Sequence, residues 1–599
     1  MDGTVFPSIP DLCLQDGVTK EQVNASTIAI DWLSKLQLSF DKKSFDDLSG
    51  LFLENCWWRD WAGLTWDIRT QHGREAISTY LRGATNQLTA IDSVKSGGLQ
   101  PALSDIGGTI WIQSGFTFRT PHGEGKGLVR LVNIGPQEWK AWTVFTQLEQ
   151  FDFKKKLDVQ RDTKTAQPRA AKPPSAAVGP GDDLPVLIVG AGQSGLMVGA
   201  RLKSMGIKYL IVDQSDRIGG RWNDRYNTMT MHTPIYSDHY PFVKYPSNWP
   251  KWLNKDDLIK FMVHYADLLD LDISLSTNVT KIAYDESAKR YQVELKGPNG
   301  EQRLSPRQVV LALGLFGDRP NIPDIPGRES FKGLEYHAIK HKSARQVPDL
   351  DKKKVAVIGS STTAHDLAQD FVNCGAKEVT MIQRSPIFSM SSQATEAIMF
   401  STYGSSGLST EEADIVANSF PIKLVRAMSI GITQMASQID KEMLDGLKKA
   451  GLALKTGQDG YGILDHQLIY GGRFYFDQGA NEMIIDGRIK VRSCQDGISK
   501  IHANGLTLAD GTDVDADVIV LATGYKPPTD FVERLMGPDG AKKAGPFTGW
   551  DSEHERKGCW RPMGLPGLWY MTGSFTMCRA LSLPLSLQIA AVEKGFNAV

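Results

Sequence analysis

Two short glycine-bearing stretches hold the residues best suited to chemistry. The first reads Leu187-Ile188-Val189-Gly190-Ala191-Gly192-Gln193-Ser194-Gly195. Gly190 permits a tight turn after an apolar strand, Gly192 lets backbone approach a pyrophosphate, and Gly195 lets the following helix pack closely. Gln193 and Ser194 open that helix, whose N-terminus offers unpaired N–H groups and partial positive charge to phosphates. The next strand closes at Asp213, whose carboxylate can accept hydrogen bonds from a ribose diol. The second stretch reads Val355-Ala356-Val357-Ile358-Gly359-Ser360-Ser361-Thr362-Thr363-Ala364, with Ser361 and Ala364 in place of two glycines and Thr362 opening the helix. Its next strand ends in Gln383-Arg384-Ser385. Arg384 puts a planar fork of donors where a carboxylate would repel a 2′-phosphate. Such a charged hydrogen bond is worth roughly 1.5–3 kcal/mol, or about a 10- to 150-fold preference for NADPH over NADH.

Other stretches point to the same cleft. Val309-Val310-Leu311-Ala312-Leu313-Gly314 and Val518-Ile519-Val520-Leu521-Ala522-Thr523-Gly524-Tyr525 are buried strands ending in small residues, and they read as returning links between two nucleotide domains. Leu568-Trp569-Tyr570-Met571-Thr572-Gly573 is another strand into glycine, and Leu583–Val592 reads as a helix aimed at the first nucleotide. The segment Met229-Thr230-Met231-His232-Thr233-Pro234 through Tyr240-Pro241-Phe242 is placed to lie along that nucleotide. Its aromatics, with Tyr245, Trp249 and Trp252, fit a ligand wall and an ordinary core equally well, and Lys251 and His239 are polar groups beside them.

The elements that must position these turns are strand–turn–helix units on parallel sheets with right-handed crossovers. The expected spans are Val186–Val189, Ser194–Ser204 and Tyr209–Val212, then Val355–Ile358, Ala364–Asn373 and Glu378–Ile382. Residues 389–460 are helical in pattern and read as an insertion capping the second site. The clearest boundary runs from Gln167 to Asp183, with four prolines and no large apolar side chain in Gln167-Pro168-Arg169-Ala170-Ala171-Lys172-Pro173-Pro174-Ser175 and Gly179-Pro180-Gly181-Asp182-Asp183. This divides the chain into an N-terminal domain over 1–165, a linker over 166–183, the first part of one nucleotide domain over 184–348, a second nucleotide domain with its insertion over 349–515, and the rest of the first over 516–599. The N-terminal domain opens with a helical pattern at Ile28, Ile30, Trp32, Leu33 and Leu36, followed by Phe45, Leu48, Leu51 and Phe52. It continues as strands over Thr109–Phe118, Gly127–Ile134 and Glu138–Leu148. The expected fold class is therefore an α/β body of two Rossmann-like domains preceded by an α+β cone.

Composition excludes several classes. At 599 residues the chain exceeds one core. The 67 basic residues against 68 acidic ones leave no field to recruit nucleic acid or an anionic membrane. Six cysteines without a C-x-x-C spacing suit a reduced compartment, and no metal-ligand spacing occurs. The N-terminus lacks a basic region leading into an apolar core, and no run approaches 18 uninterrupted apolar residues. The expectation is a cytoplasmic enzyme with no transmembrane segment, and the sequons at Asn24 and Asn278 read as chance matches.

From about Pro185 onward the chain resembles the class B flavoprotein monooxygenases, and within them the flavin-containing monooxygenases of the type that includes the YUCCA enzymes and fungal relatives with an N-terminal extension. The residues that carry this are the two turns, Gly219-Gly220-Arg221-Trp222, the F-x-G-x-x-x-H core at Phe331, Gly333 and His337, and Ala522-Thr523-Gly524-Tyr525. The resemblance implies FAD at the first turn and NADPH at the second. The reaction it implies inserts one oxygen atom of dioxygen into a small organic substrate through a flavin peroxide adduct, first of all by N- or S-oxygenation in secondary metabolism. Baeyer–Villiger oxygenation, oxidative decarboxylation of a 2-oxo acid, and an NADPH oxidase releasing hydrogen peroxide stay as alternatives. The cofactor performs the oxygen chemistry, so no side-chain nucleophile is nominated. One departure bears on the choice. The fourth residue after His337 is His341, where the family carries Tyr or Phe in one subtype and Trp-Pro in the other, so the subtype stays open. His337 itself is expected to link domains by a hydrogen bond. A disulphide reductase would need a redox-active cysteine pair beside the flavin, and the sequence places none near either turn. The N-terminal layout, with Trp57-Trp58-Arg59-Asp60 and Leu64-Thr65-Trp66-Asp67, resembles the nuclear-transport-factor-2-like (SnoaL-like) fold, some members of which use an Asp as a base. Asp60 and Asp67 are the candidates, although helix-end or ion-pairing roles are expected of both, and a packing or dimerising role of the domain. A homodimer stays open.

Overall fold

The computed structural model describes residues 4–152 and 183–597, so most of the proline-rich linker expected from sequence lies outside the described residues. The N-terminal unit begins with the helix Ala25–Lys42, capped by Asn24 accepting from the Thr27 N–H at 3.0 Å. Its buried Ala29, Trp32, Leu33, Leu36 and Phe40 recur every three to four residues and form one stripe. That stripe packs on a seven-stranded sheet in the order Ile68–His72, Phe52–Trp61, Glu138–Phe151, Gly123–Gly135, Thr109–Arg119 and Thr89–Ser93, with Ala102–Ile106 also pairing with Thr109–Arg119. Gly125 and Gly127 are required here, because a Cβ at either would overlap the rings of Phe118 and Phe116. The opposite sheet face carries Trp57, Trp111, Val132 and Trp142, which are buried against Phe420 and Leu424 of the catalytic body. This sheet face is thus covered by the chain's own body, which gives the N-terminal unit a packing role.

That body holds two parallel five-stranded sheets of like construction. The first runs Ile273–Ser274, Tyr209–Val212, Val186–Val189, Gln308–Leu311 and Leu568–Tyr570. The second runs Ile489–Ser493, Glu378–Gln383, Lys354–Ile358, Val518–Leu521 and Leu334–His337. In both, the strand leading into a glycine turn is central, with its sequence successor on one side and a later crossing strand on the other. The helices Gln193–Ser204 and Thr362–Asn373 follow the two turns, each starting within two residues of its expected place. The C-terminal helix is Phe575–Glu593 and begins eight residues before the expected Leu583. Pro584 suggests a first helical turn, but Ser574 is the actual cap, accepting from the Met577 N–H at 3.3 Å. This helix is the one among the described residues long and apolar enough to cross a membrane unbroken, and 78% of its apolar window is buried inside the protein.

The insertion after Gln383 is helical as expected, with Thr410–Asn418, Ile422–Ile439 and Lys441–Lys449 as its main helices. It also contains two π-helical turns, Thr395–Met399 and His466–Tyr470, a form concentrated at functional sites. Its helices Thr410–Asn418 and Ile422–Ile439 meet the N-terminal unit. The segment that reaches the second glycine turn lies beyond them, at residues 471–474.

Candidate functional site

Gly190 has φ +116°, and a Cβ there would sit 2.5 Å from the Ala312 carbonyl oxygen. A Cβ at Gly195 would overlap the Gly190 carbonyl oxygen, whereas at Gly192 nothing lies within 4 Å. Two of the three glycines therefore serve close packing, and the middle one faces open space, as a phosphate cradle must. Asp213 accepts from the Ala191 N–H at 2.7 Å and the Ser215 N–H at 2.8 Å, so its carboxylate braces the turn while staying partly exposed beside it. Gln193 is clamped, accepting from Trp222 Nε1 at 3.0 Å and donating to the Gly573 carbonyl at 3.5 Å. Trp222 stacks on Phe575 at 5.6 Å, the first residue of the C-terminal helix. Gly220 admits no side chain, because a Cβ would overlap Ser215 Oγ. Arg221 reaches the Gly317 carbonyl at 3.3 Å. The Ser194 hydroxyl turns inward to Cys578 Sγ at 3.2 Å. Thr572 Oγ1, two residues beyond strand Leu568–Tyr570, is buried without a partner among the described residues.

The second turn repeats the first. Gly359 has φ +133°, and its Cβ would sit 2.5 Å from the Ala522 carbonyl oxygen. The small residues ending both crossing strands, Ala312 and Ala522, are thus what each first glycine presses on. Ser361, standing for the middle glycine, turns its hydroxyl away to the Phe474 carbonyl at 3.3 Å and accepts from the Arg473 N–H at 3.2 Å. Thr362 Oγ1 donates to the same Phe474 carbonyl at 3.0 Å. Ala364 is buried in the helix that follows. Arg384 is exposed beyond the end of strand Glu378–Gln383 and has no hydrogen-bond or ion-pair partner among the described residues. Gln383 holds the backbone beside it, donating to the Ser385 carbonyl at 3.1 Å.

The two carboxyl ends meet through the linker after Gly314. Asn321 N–H donates to the Gly524 carbonyl at 2.9 Å, and Thr523 Oγ1 donates to the Asn321 carbonyl at 2.5 Å. Arg225 Nη1 donates to Tyr525 Oη at 3.4 Å. His337 Nε2 lies 3.0 Å from the Gly524 carbonyl, and its Nδ1 accepts from the Ile339 N–H at 3.1 Å. Burial holds this imidazole below its ordinary range. His337 therefore ties together the carboxyl ends of two neighbouring strands of the second sheet, Leu334–His337 and Val518–Leu521, and this bond does not itself link the two domains. Phe331 and Gly333 lie at the other end of strand Leu334–His337, where a Cβ on Gly333 would overlap the Asp517 carbonyl oxygen. They pack the second sheet and stand a strand's length from the turns.

His341, the family departure, is buried, with Nε2 2.9 Å from Asp370 Oδ2 and Nδ1 2.9 Å from Tyr336 Oη. Burial raises Asp370, but its bonds to His341 and the Ala344 N–H hold it below the usual carboxylate range. One helical turn earlier, Asp366 takes His232 Nε2 at 3.2 Å and the Tyr226 hydroxyl. Burial opposes charge on His232, yet Asp366 prevails and holds the imidazole above its usual range. His232 Nδ1 also meets the Phe476 carbonyl at 2.7 Å. The helix after the second turn thus grips the loop from the first domain through Asp366, and the connection that follows strand Leu334–His337 through Asp370. Sequence reasoning missed both, although their i, i+4 spacing was visible. Thr233 turns to Asp238, whose carboxyl burial pushes up to about 6. Tyr240, Tyr245, Trp249 and Phe261 form a mutual aromatic core, and Lys251 pairs with Glu396 at 2.9 Å. His239 Nδ1 accepts from the Tyr245 N–H at 3.0 Å, and burial pushes it down to about 4.

Neither candidate base of the N-terminal unit faces a cleft. Asp60 is fully enclosed, accepting from the Leu64 and Thr65 N–H groups and the Tyr80 and Thr146 hydroxyls, and burial pushes it up to about 6. Asp67 pairs with Arg561 at 2.8 Å across the seam to the body. All six cysteines are free. One of them, Cys578, does stand beside the first turn, which the sequence did not reveal. Burial pushes its thiol up to about 12, far from the thiolate that disulphide exchange requires.

The profile of the pyridine nucleotide-disulphide oxidoreductase family matches residues 187–404. The probable indole-3-pyruvate monooxygenase YUCCA1 of Arabidopsis thaliana is 28% identical over 342 residues, covering 57% of this chain and 75% of that protein. The indole-3-pyruvate monooxygenase YUCCA1 of Oryza sativa subsp. japonica is 27% identical over 347 residues, covering 57% and 76%. Over this part the chain is similar to flavin-dependent monooxygenases. The fold of this group is seen in the polycyclic ketone monooxygenase of Thermothelomyces thermophila, with TM-score 0.51 and 19% identity over 70% of this chain and 78% of that one. It is seen again in an oxidised steroid monooxygenase bound to NADP, with TM-score 0.50 and 21% identity over 68% and 85%. The fold shared with these two structures thus extends over about two-thirds of this chain.

Proposed function

We propose that the chain is an FAD- and NADPH-dependent monooxygenase that inserts one atom of dioxygen into a small organic substrate. The observation that carries this reading is the paired construction of the turns, with Gly190 on Ala312 and Gly359 on Ala522, joined by the bonds of Asn321 to Thr523 and Gly524. When bound, FAD accepts hydride from NADPH and activates dioxygen. The chain's own residues bind and orient. The open cradle at Gly192 and the start of helix Gln193–Ser204 take the FAD pyrophosphate, and Asp213 is placed for its ribose. The clamped Gln193 and the Thr572 hydroxyl, unpartnered among the described residues, lie beside the start of the C-terminal helix and would help to hold the cofactor there. Arg384, exposed and unpaired, is placed for a 2′-phosphate.

Heteroatom oxygenation is the first reading of the substrate class, since a soft nitrogen or sulfur asks for no charged group on the protein. The similarity to plant indole-3-pyruvate monooxygenases favours a second, oxidative decarboxylation of an aryl 2-oxo acid, for which Arg225 at the domain junction supplies a cation. The test is to reduce the yellow protein anaerobically with NADPH, admit air, and follow the flavin spectrum by stopped flow. A transient band distinct from oxidised and reduced flavin supports a monooxygenase. With indole-3-pyruvate, carbon dioxide released in step with NADPH supports the second reading, whereas oxidised amines or sulfides support the first. Immediate return of oxidised flavin with one hydrogen peroxide per NADPH, in every substrate screened, refutes both in favour of an oxidase.

A further inference from the structure

The loop Trp550–Arg556 belongs to the first nucleotide domain, yet its charged side chains point to three different parts of the chain. Asp551 Oδ1 accepts from the Glu553 and Glu555 N–H groups, both at 2.9 Å, and closes the loop on itself. His554 is held at φ +64°, a conformation that a non-glycine residue keeps only when its surroundings impose it. From this frame Glu555, 2% exposed, takes Arg59 of the N-terminal unit in a two-pronged pair at 2.7 and 2.9 Å, together with the Thr70 hydroxyl at 2.7 Å. Glu553 takes the Thr70 N–H at 2.8 Å and Gln71 Nε2 at 2.8 Å. In the other direction His554 Nε2 meets Arg426 Nη1 at 2.8 Å, and Arg426 pairs with Asp465 at 2.7 Å. Arg556 Nη2 donates to the Leu468 carbonyl at 3.2 Å.

Leu468 lies in the π-helical turn His466–Tyr470, and the chain runs from there directly over the second glycine turn. A Cβ on Gly472 would lie 3.8 Å from Ser361 Oγ, and the Phe474 carbonyl accepts both the Ser361 and Thr362 hydroxyls. Arg59 also donates its Nη1 to the Asn418 and Phe420 carbonyls at 2.7 and 3.1 Å, which fixes the corner between the insertion helices Thr410–Asn418 and Ile422–Ile439. An unbroken set of bonds therefore leads from the N-terminal sheet to the turn. Two-pronged, water-shielded pairs such as Arg59–Glu555 define one orientation rather than many.

We propose that the N-terminal unit is a brace for the second nucleotide site. Arg59 and Glu555 are positioning residues that fix segment 466–474 over Ser361 and Thr362, with Arg556 as the last link. The nucleotide half of this rests on the NADPH reading of the second turn. The experiment uses the full chain and two readouts. The first is amide hydrogen exchange of 466–474 without nucleotide, with strand 186–189 as internal control. The second is KM against kcat for NADPH oxidation.

Arg556→Ala removes the bond to Leu468 along with the contacts of Arg556 to the Trp550 ring and Cys559, and Glu555→Gln keeps the shape of the seam while removing its charge. Both should speed exchange in 466–474 by about 5- to 10-fold, the equivalent of a lost hydrogen bond, leaving 186–189 unchanged. KM for NADPH should rise by a similar factor at unchanged kcat. Arg59→Met is the stronger perturbation, and if it fails to fold the other two variants carry the test. Unchanged exchange in 466–474 for both variants overturns the brace. Faster exchange with unchanged KM overturns its nucleotide half. A wild-type chain that never oxidises NADPH refutes the enzymatic reading instead, and is read separately from the exchange data.

Discussion

Gly192→Val separates a binding role from a folding role more cleanly than any other change at the first turn. Gly192 has φ −80° and ψ −176°, extended geometry that a β-branched residue adopts freely. No atom lies within 4 Å of the added Cβ, so the protein without cofactor should keep its stability to within about 0.5 kcal/mol. The same side chain fills the space in which the pyrophosphate would approach the backbone N–H groups. Losing two such bonds to a charged group, at roughly 1.5–3 kcal/mol each, weakens FAD binding by about 3–6 kcal/mol, or roughly 10²- to 10⁴-fold. Gly195→Ala is the control, since its Cβ overlaps the Gly190 carbonyl oxygen and should lower stability by about 1–3 kcal/mol as well. The assay is flavin content from the visible spectrum beside thermal melting of protein stripped of flavin. Gly192→Val protein that is colourless and melts normally fulfils the expectation. Protein that purifies with full flavin, or that melts far below wild type, refutes the assignment of this turn as a cradle.

Arg384→Ala should erode the NADPH over NADH preference by about 10- to 150-fold in kcat/KM, and an unchanged ratio would mean that the phosphate is read elsewhere. His341→Phe, which restores an aromatic at the departed position, leaves buried Asp370 short of a donor. It should cost about 1–3 kcal/mol in urea unfolding, and a neutral result would show that the pair carries no stability. Asp60 has a folded pKa raised to about 6, above the usual Asp value near 4. Its protonated form is therefore favoured in the folded state, and its contribution is fully present below about pH 4 and lost as pH rises through about 6. The stability of wild type relative to Asp60→Asn should thus fall between pH 4 and pH 7. Equal differences at both pH values would refute the shift.

Local pattern made much of the body legible. The strands into both turns were readable because each is a short apolar run stopped by glycine, and the small residues after Leu311 and Leu521 marked the crossing strands. Less was legible where burial erased the pattern. Phe52–Trp61 was not read as a strand because Trp57 to Trp61 are buried on both faces, so no alternation shows. The start of the C-terminal helix is obscured by Pro584, which lies inside the helix. At the site, Gly190 and Asp213 were readable from spacing alone. The inward turn of Ser361, the displacement of Phe331 and Gly333 from the cleft, and the Asp366 and Asp370 grips were not, since each depends on a partner distant in sequence. The seam pairs are the extreme case, with Arg59 and Glu555 separated by 496 positions.

That separation has a consequence for how the protein is made. At roughly 5–20 residues per second, the ribosome needs about 25–100 s to go from Arg59 to Glu555. In the part of this interval between Phe151 and Leu424 the N-terminal sheet is complete in sequence, but the insertion corner that covers its tryptophan-bearing face does not yet exist. A face built from Trp57, Trp111 and Trp142 is then exposed to other nascent chains, as apolar surface on a folding intermediate. The strand Leu568–Tyr570 is later still, so the first nucleotide sheet also waits for its edge. Assembly of this enzyme is therefore a late, concerted event, and a slower rate of synthesis would lengthen the window in which it is prone to aggregate.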